Sequence, residues 1–290
     1  MRDYTVRAIS ADGFVRGFAA KTTGLVQDMC NRQKTWPVAS AALGRTVTMA
    51  AMMGLNLKEE KHRITIRVSG DGPLGQIIAD ADGQGNVRGT VDHPQTDIPR
   101  RADGKLDVGT AVGKGSIYII KDLGLREPYT GTSPIVSGEL GDDFTYYFSV
   151  SEQTPSSVGL GVLVKGEEIL AAGGYMVQVM PGASDEVIDR LEQRIAGIGS
   201  ISERIQEGAT PEDLMYLVLG DDAEILESRP VRFRCRCSRE RIEAMLRSLG
   251  KDEVESLLNE QGKAEVVCHF CGETRTFGED ELKRIIEEII

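Results

Sequence analysis

The chain has 290 residues with 45 acidic and 34 basic side chains, a formal net charge of −11. That length accommodates a large core and a second, small domain, while the acidic balance argues against non-specific nucleic-acid binding, which rests on phosphate neutralisation by Lys and Arg. Hydrophobic residues at 40% and charged residues at 27% describe a chain that folds throughout and exclude a long disordered section.

The opening MRDYTVRAISADG has charges and no apolar stretch of signal-peptide length, and the longest apolar run, PVASAALGRTVTMAAMMGL, contains Arg45. No window approaches the roughly eighteen uncharged residues of a membrane helix, so a cytoplasmic protein without a membrane partner is expected.

Residues 1–182 read as strand-rich. Beta-branched runs bounded by glycine turns recur as YTVRAIS, FVRGFAA, HRITIRVSG, GQIIADADG, NVRGTVD, GSIYIIKD, DFTYYFSV, VGLGVLV and GYMVQVM, which predicts strands of one mixed or antiparallel sheet system. Two helices interrupt them, one following the candidate caps Thr22 and Thr23, the other starting at Pro37, a residue suited to the first helical position. The fold class expected is α+β: a large N-terminal sheet-and-helix domain, a helical linker, and a small C-terminal zinc-binding domain.

The texture changes over 183–230, the predicted linker. SDEVIDRLEQRIAGI places Val187, Ile188, Leu191 and Ile195 on one helical face with Ser184 as N-cap. SISERIQEG and TPEDLMYLVLG continue it in short helices divided by glycines and Pro211. Short helices are marginal without packing partners, so these must lean on the large domain. Residues 231–290 then read strand, helix, helix, hairpin, helix. About sixty residues rarely build a robust core unaided, and a metal is the natural staple.

Four of the five cysteines form two pairs in this last segment, Cys235 and Cys237 in RFRCRCSRER, and Cys268 and Cys271 in VVCHFCGE. On a strand, Cys235 and Cys237 project to one side. The second pair fits a zinc knuckle, with Gly272 available for the positive φ such a turn needs; a thioredoxin-type CxxC would begin a helix, and GETRTF does not read as one. Four thiolates closing one tetrahedral Zn²⁺ site per chain is the reading adopted, over cysteines that merely pack as small hydrophobes. His269 lies within the knuckle but is not needed as a ligand. The site's net charge of about −2 with zinc bound gives Arg232, Arg234, Arg236, Arg239 and Arg241 a use as counter-charge. Cys30, alone on a predicted helix, reads as a buried inert thiol.

Beyond the cysteines, NRQKTWPVASAALGRT, IYIIKDLGLREPYTG, FSVSEQTPSSVGLGVLV and AAGGYMVQVMPGA make the chain resemble, over nearly its whole length, the redox-regulated bacterial heat-shock chaperones called 33 kDa chaperonin. The resemblance implies an ATP-independent holdase for unfolded client proteins, not an enzyme. It implies a latent form when reduced and zinc-bound, and an active homodimer once zinc is released and disulfides Cys235 to Cys237 and Cys268 to Cys271 form. Cα atoms two apart on a strand are separated by about 6.6 Å, near the upper limit for a disulfide of about 6.8 Å. The CxC pair is therefore expected to close after the CxxC pair. The competing readings are weaker: the three histidines and the absence of a GxSxG or P-loop motif leave an enzyme without machinery. A zinc-knuckle nucleic-acid binder sits poorly with the acidic charge.

Overall fold

The computed structural model describes residues 2–289, which form two compact units that divide between Arg234 and Cys235. In chain order the first contains β1 (Tyr4–Ile9), β2 (Val15–Lys21), α1 (Thr23–Gln33), α2 (Pro37–Leu55), β3 (Arg63–Gly70), β4 (Gln76–Asp82), β5 (Asn86–Val91), α3 (Val108–Val112), β6 (Gly115–Asp122), β7 (Tyr129–Pro134), α4 (Gly141–Val150), β8 (Ser156–Lys165), β9 (Glu168–Val179), α5 (Asp185–Ala196), α6 (Ile201–Gln206), α7 (Pro211–Leu219), β10 (Glu224–Pro230) and β11 (Arg232–Phe233). The second contains α8 (Arg239–Leu249), α9 (Lys251–Gln261), β12 (Ala264–Val267), β13 (Thr274–Phe277) and α10 (Glu279–Glu287).

The α+β class holds, but the strands of the first unit divide into two sheets where one system was expected. A five-stranded sheet runs β10-β1-β2-β9-β8, and a six-stranded sheet runs β11-β5-β4-β3-β6-β7. Every pairing is antiparallel except β11 with β5.

Helix α2 explains why there are two sheets. It is apolar all round, with only Pro37 and Arg45 not buried, as a helix between two covering layers must be. It packs on β8 and β9 of one sheet and on β4 and β5 of the other, and its side chains Leu43, Val47, Met49 and Met52 join one core with Phe18, Ile66, Ile77 and Met176. Among the described residues α2 is the one helix long and apolar enough to cross a membrane, and its apolar surface is spent on this packing instead.

DFTYYFSV is not a strand but the body of α4. Its aromatic residues suggested β structure, yet Phe144, Tyr147 and Phe148 recur at three and four residues and are all buried, a helical period. Asp143 fixes the helix start: its fully buried carboxylate accepts from the backbone N–H groups of Val136 (2.7 Å), Ser137 (2.8 Å) and Leu140 (2.8 Å).

The five-stranded sheet has a second apolar face, away from α2. Val6, Ala8, Ala19, Tyr175 and Val177 line it, and Leu191, Ile201, Ile205, Leu214, Met215 and Val218 of α5 to α7 cover it. Val187 and Ile195, expected on the same face as Leu191, pack at its margin. Mid-strand glycines let these helices come close. A Cβ on Gly17 would stand 2.6 Å from Met215 Sδ, and one on Gly161 would stand 2.6 Å from the Ser202 nitrogen. Tyr4 Oη donates to Glu212 Oε2 (2.6 Å), and an Arg194 guanidinium N–H donates to the Leu219 carbonyl, tying α7 to β1 and α5 to α7. The span read as helical linker ends in a strand, β10, which pairs with β1 from Tyr4↔Pro230 to Ile9↔Glu224.

Candidate metal centre

The second unit packs Ile242 and Leu246 of α8, Val254 of α9, Ala264 and Phe277 of the β12–β13 hairpin, and Leu282 and Ile285 of α10 into one small core. Ser238 starts α8 by accepting from the Arg241 N–H. At the other end of the hairpin, β12 and β13 pair down to Val267↔Thr274, and the six residues between them make a tight knuckle. Gly272 N–H donates to the Cys268 carbonyl (2.8 Å), Cys268 N–H donates to the Glu273 carbonyl (3.0 Å), and Gly272 takes the positive φ (71°) that the sequence anticipates.

Cys235 and Cys237 approach from the segment before α8. Regular strand ends at Phe233 and residues 234–238 belong to no helix or strand, so the pair lies just past the strand on which it was expected. Their Sγ atoms are 3.3 Å apart.

All four sulfurs converge. Cys235 Sγ lies 3.6 Å from Cys268 Sγ, Cys237 Sγ lies 3.3 Å from Cys271 Sγ, and the four lie within 4.8 Å of one another. A tetrahedral ion with metal–sulfur bonds of about 2.3 Å sets its ligands about 3.8 Å apart. The residues present therefore fit a metal ion: four soft donors, three half-buried and Cys271 buried, on two separate segments of the chain. Among the described residues no histidine or carboxylate belongs to the cluster.

Electrostatics differ along the cluster. Burial opposes ionisation at Cys235, yet the backbone N–H of Cys237 and the thiols of Cys237, Cys268 and Cys271 outweigh it and bring its pKa down to about 7. Burial pushes Cys271 up to about 11, against a hydrogen bond from the Glu273 N–H. Cys237 is raised by burial and by its neighbours' sulfurs. One sulfur of the group, that of Cys235, is thus readied to ionise, and a bound cation would favour the ionised form at all four.

The arginine cluster is less uniform than its spacing suggested. Arg232 donates from Nε to Asn86 Oδ1 (2.9 Å). Arg239 stacks over the Phe277 ring (4.4 Å) and pairs with Glu281 (2.5 Å). Those two hold structure, and Arg241 donates to the Arg236 carbonyl (3.3 Å). Cys30 is buried in α1, where burial raises its pKa against hydrogen bonds with Thr35 and Ser40. Cys30→Ser is expected to leave metal content unchanged, checked by metal analysis of the reduced protein; loss of metal in that variant would bring a fifth thiol into the site. Sequence reasoning missed the mid-strand glycines that admit α6 and α7; glycine inside a β-branched run was the available signal.

A family model described as Hsp33 protein matches residues 3–278. The 33 kDa chaperonin of Bacillus cereus (strain B4264) is 51% identical over 292 residues, covering 100% of each chain. The 33 kDa chaperonin of Staphylococcus aureus (strain JH9) is also 51% identical, over 290 residues and 99% of each. Among solved structures, the crystal structure of 33 kDa chaperonin from Thermotoga maritima matches with a TM-score of 0.93 at 33% identity, covering 99% of this chain and 98% of that one. Full-length identity at this level, on a matching fold and with four clustered thiols, places the chain in the Hsp33 family of chaperones.

Proposed function

We propose that this chain is a redox-regulated, ATP-independent holdase of the cytoplasm, latent when reduced and zinc-bound, and active toward unfolding proteins, as a homodimer, once its paired cysteines are oxidised. The observation that carries the reading is the convergence of four sulfurs within 4.8 Å in a unit whose apolar core is very small. Bound Zn²⁺ would hold Cys235, Cys237, Cys268 and Cys271 as thiolates and join the segment before α8 to the hairpin knuckle. Thiolates are the form that peroxide attacks. Each sulfenic acid formed condenses with the neighbouring thiol, releasing water and giving the disulfides Cys235 to Cys237 and Cys268 to Cys271. A disulfide sulfur is a poor donor, so both clamps on the small core are lost together.

The domain roles follow: residues 1–182 as the client-binding core, 183–230 as its removable cover, and 231–290 as the switch. Supporting this, α6 spans six residues and α7 nine, lengths that are marginal without tertiary packing. What they cover is a continuous apolar sheet face, and a patch of that kind binds other proteins when exposed. No catalytic role and no nucleic-acid partner is assigned.

The test follows light scattering of a thermally unfolding client. Reduced, zinc-loaded protein should suppress aggregation weakly. Protein treated with peroxide under mild heating should suppress it strongly, with zinc released and four thiols lost per chain. Equal protection by both forms would refute the switch.

A further inference from the structure

Helix α2 fills the layer between the two sheets only as far as Leu55, and past its C-terminus that layer opens into a cavity of about 380 Å³. This is within the size of small-ligand sites, about 300–1,000 Å³. Its floor is apolar and drawn from four elements: Met53 of α2, Ile64 of β3, Phe148 of α4 and Met176 of β9. All four are buried, and two are methionines, whose unbranched side chains adapt to an occupant.

The rim is cationic. Lys121 is matched by Glu152 at 2.5 Å, and His62 lies 3.7 Å from Glu59. Arg16 and Lys58 have no such compensation. Arg16 Nε–H donates to Gln178 Oε1 (3.0 Å), and Gln178, itself 3% exposed, donates to Ser156 Oγ (3.2 Å). That relay holds the guanidinium at the cavity, while its terminal N–H groups have no partner among the described residues. Lys58, just past the end of α2, has no ion-pair partner among the described residues either. The carbonyl end of α2 would oppose an anion, but the Gly54 carbonyl already accepts from the Leu57 N–H, and that of Met53 from the Asn56 N–H.

An apolar floor under two uncompensated cations selects an amphipathic anion. We propose that this cavity binds an aliphatic carboxylate, its alkyl chain against Met53, Ile64, Phe148 and Met176 and its head group on Arg16 and Lys58. The site lies wholly within the first unit and is independent of the cysteine chemistry.

Sodium octanoate, kept below its micelle concentration, is the probe, titrated into the full-length reduced, zinc-loaded protein by calorimetry and by NMR of ¹³C-methyl methionine. Saturable one-to-one binding is expected, with the Met53 and Met176 methyl signals shifting along the same isotherm. Arg16→Gln and Lys58→Gln should each weaken binding by about tenfold, the worth of a charge-assisted hydrogen bond, and uncharged octanamide should lose as much against the wild type. Lys58 is exposed, so K58Q keeps the test decisive even if R16Q fails to fold. The proposal is overturned by absent or unsaturable binding, by unmoved methionine signals, by octanamide binding as tightly as octanoate, or by K58Q binding like wild type. It also falls if a peptide ending in Leu occupies the methionines where octanoate does not.

Discussion

Replacing Cys268 with Ser is expected to abolish stoichiometric zinc retention and to unfold residues 235–290 while the first unit stays folded. Structural zinc ligation contributes about 10–16 kcal/mol of folding free energy in small domains. Among the described residues the core cluster of the second unit contains seven buried side chains to set beside that, and a core of its size rarely supplies more than about 3–5 kcal/mol. Loss of one of four ligands therefore removes more than the remainder can supply. Hydrogen exchange should show protection lost in α8 to α10 and the β12–β13 hairpin, but kept in α2 and in β3 to β6, with zinc measured in the same sample. Full zinc occupancy in Cys268→Ser would remove that residue from the site. Zinc loss with α8 to α10 still protected would show that the metal is not the staple.

If the proposed switch operates, Gly17→Val is expected to produce a chaperone that no longer needs oxidation. Gly17 sits mid-strand in β2 facing α7, where even a Cβ would stand 2.6 Å from Met215 Sδ and 3.0 Å from Leu219 Cδ1. Its φ is not in the left-handed range, so the strand itself tolerates valine, and the strain falls on the helix. Overpacking of this kind costs about 1–3 kcal/mol, a large fraction of what holds a nine-residue helix in place. Reduced, zinc-loaded Gly17→Val should protect a thermally unfolding client several-fold better than reduced wild type, with its zinc intact. Adding Met215→Ala reopens the space and should restore latency, the non-additivity expected of touching residues. If Gly17→Val loosens α7 by hydrogen exchange yet remains as latent as wild type, the covered sheet face is not the client surface.

How much of this was legible in the sequence depended on how local the signal was. The two cysteine pairs and Gly272 declare themselves by spacing, because a knuckle is made by neighbours in the chain. The start of α2 at Pro37 and the amphipathic face of α5 are local for the same reason. The division into two sheets was not legible, because nothing in a strand's own residues says which sheet it joins; that is decided by α2 being apolar on every side. Strand β10 reads as polar, with exposed and half-buried residues alternating in EILESRP, and its partner β1 lies at the other end of the unit. In α4, aromatic β propensity outweighed a three-and-four spacing that was present all along. Arg232 and Arg239 looked like counter-charge to the sulfurs, but their partners, Asn86 and Glu281, are far from them in sequence.

The arrangement of the five-stranded sheet also has a bearing on synthesis. Its central strands β2 and β9 are complete once Val179 has emerged, but α7, which closes over them, ends at Leu219. The ribosome must add about 40 residues in between, roughly 2–8 s of translation. Throughout that interval the nascent chain displays an apolar sheet face lined by Val6, Ala19, Tyr175 and Val177, and β1 still lacks its partner β10. Slower translation lengthens that interval and with it the exposure of the face, whereas faster translation brings α5 to α7 sooner to close over their own sheet.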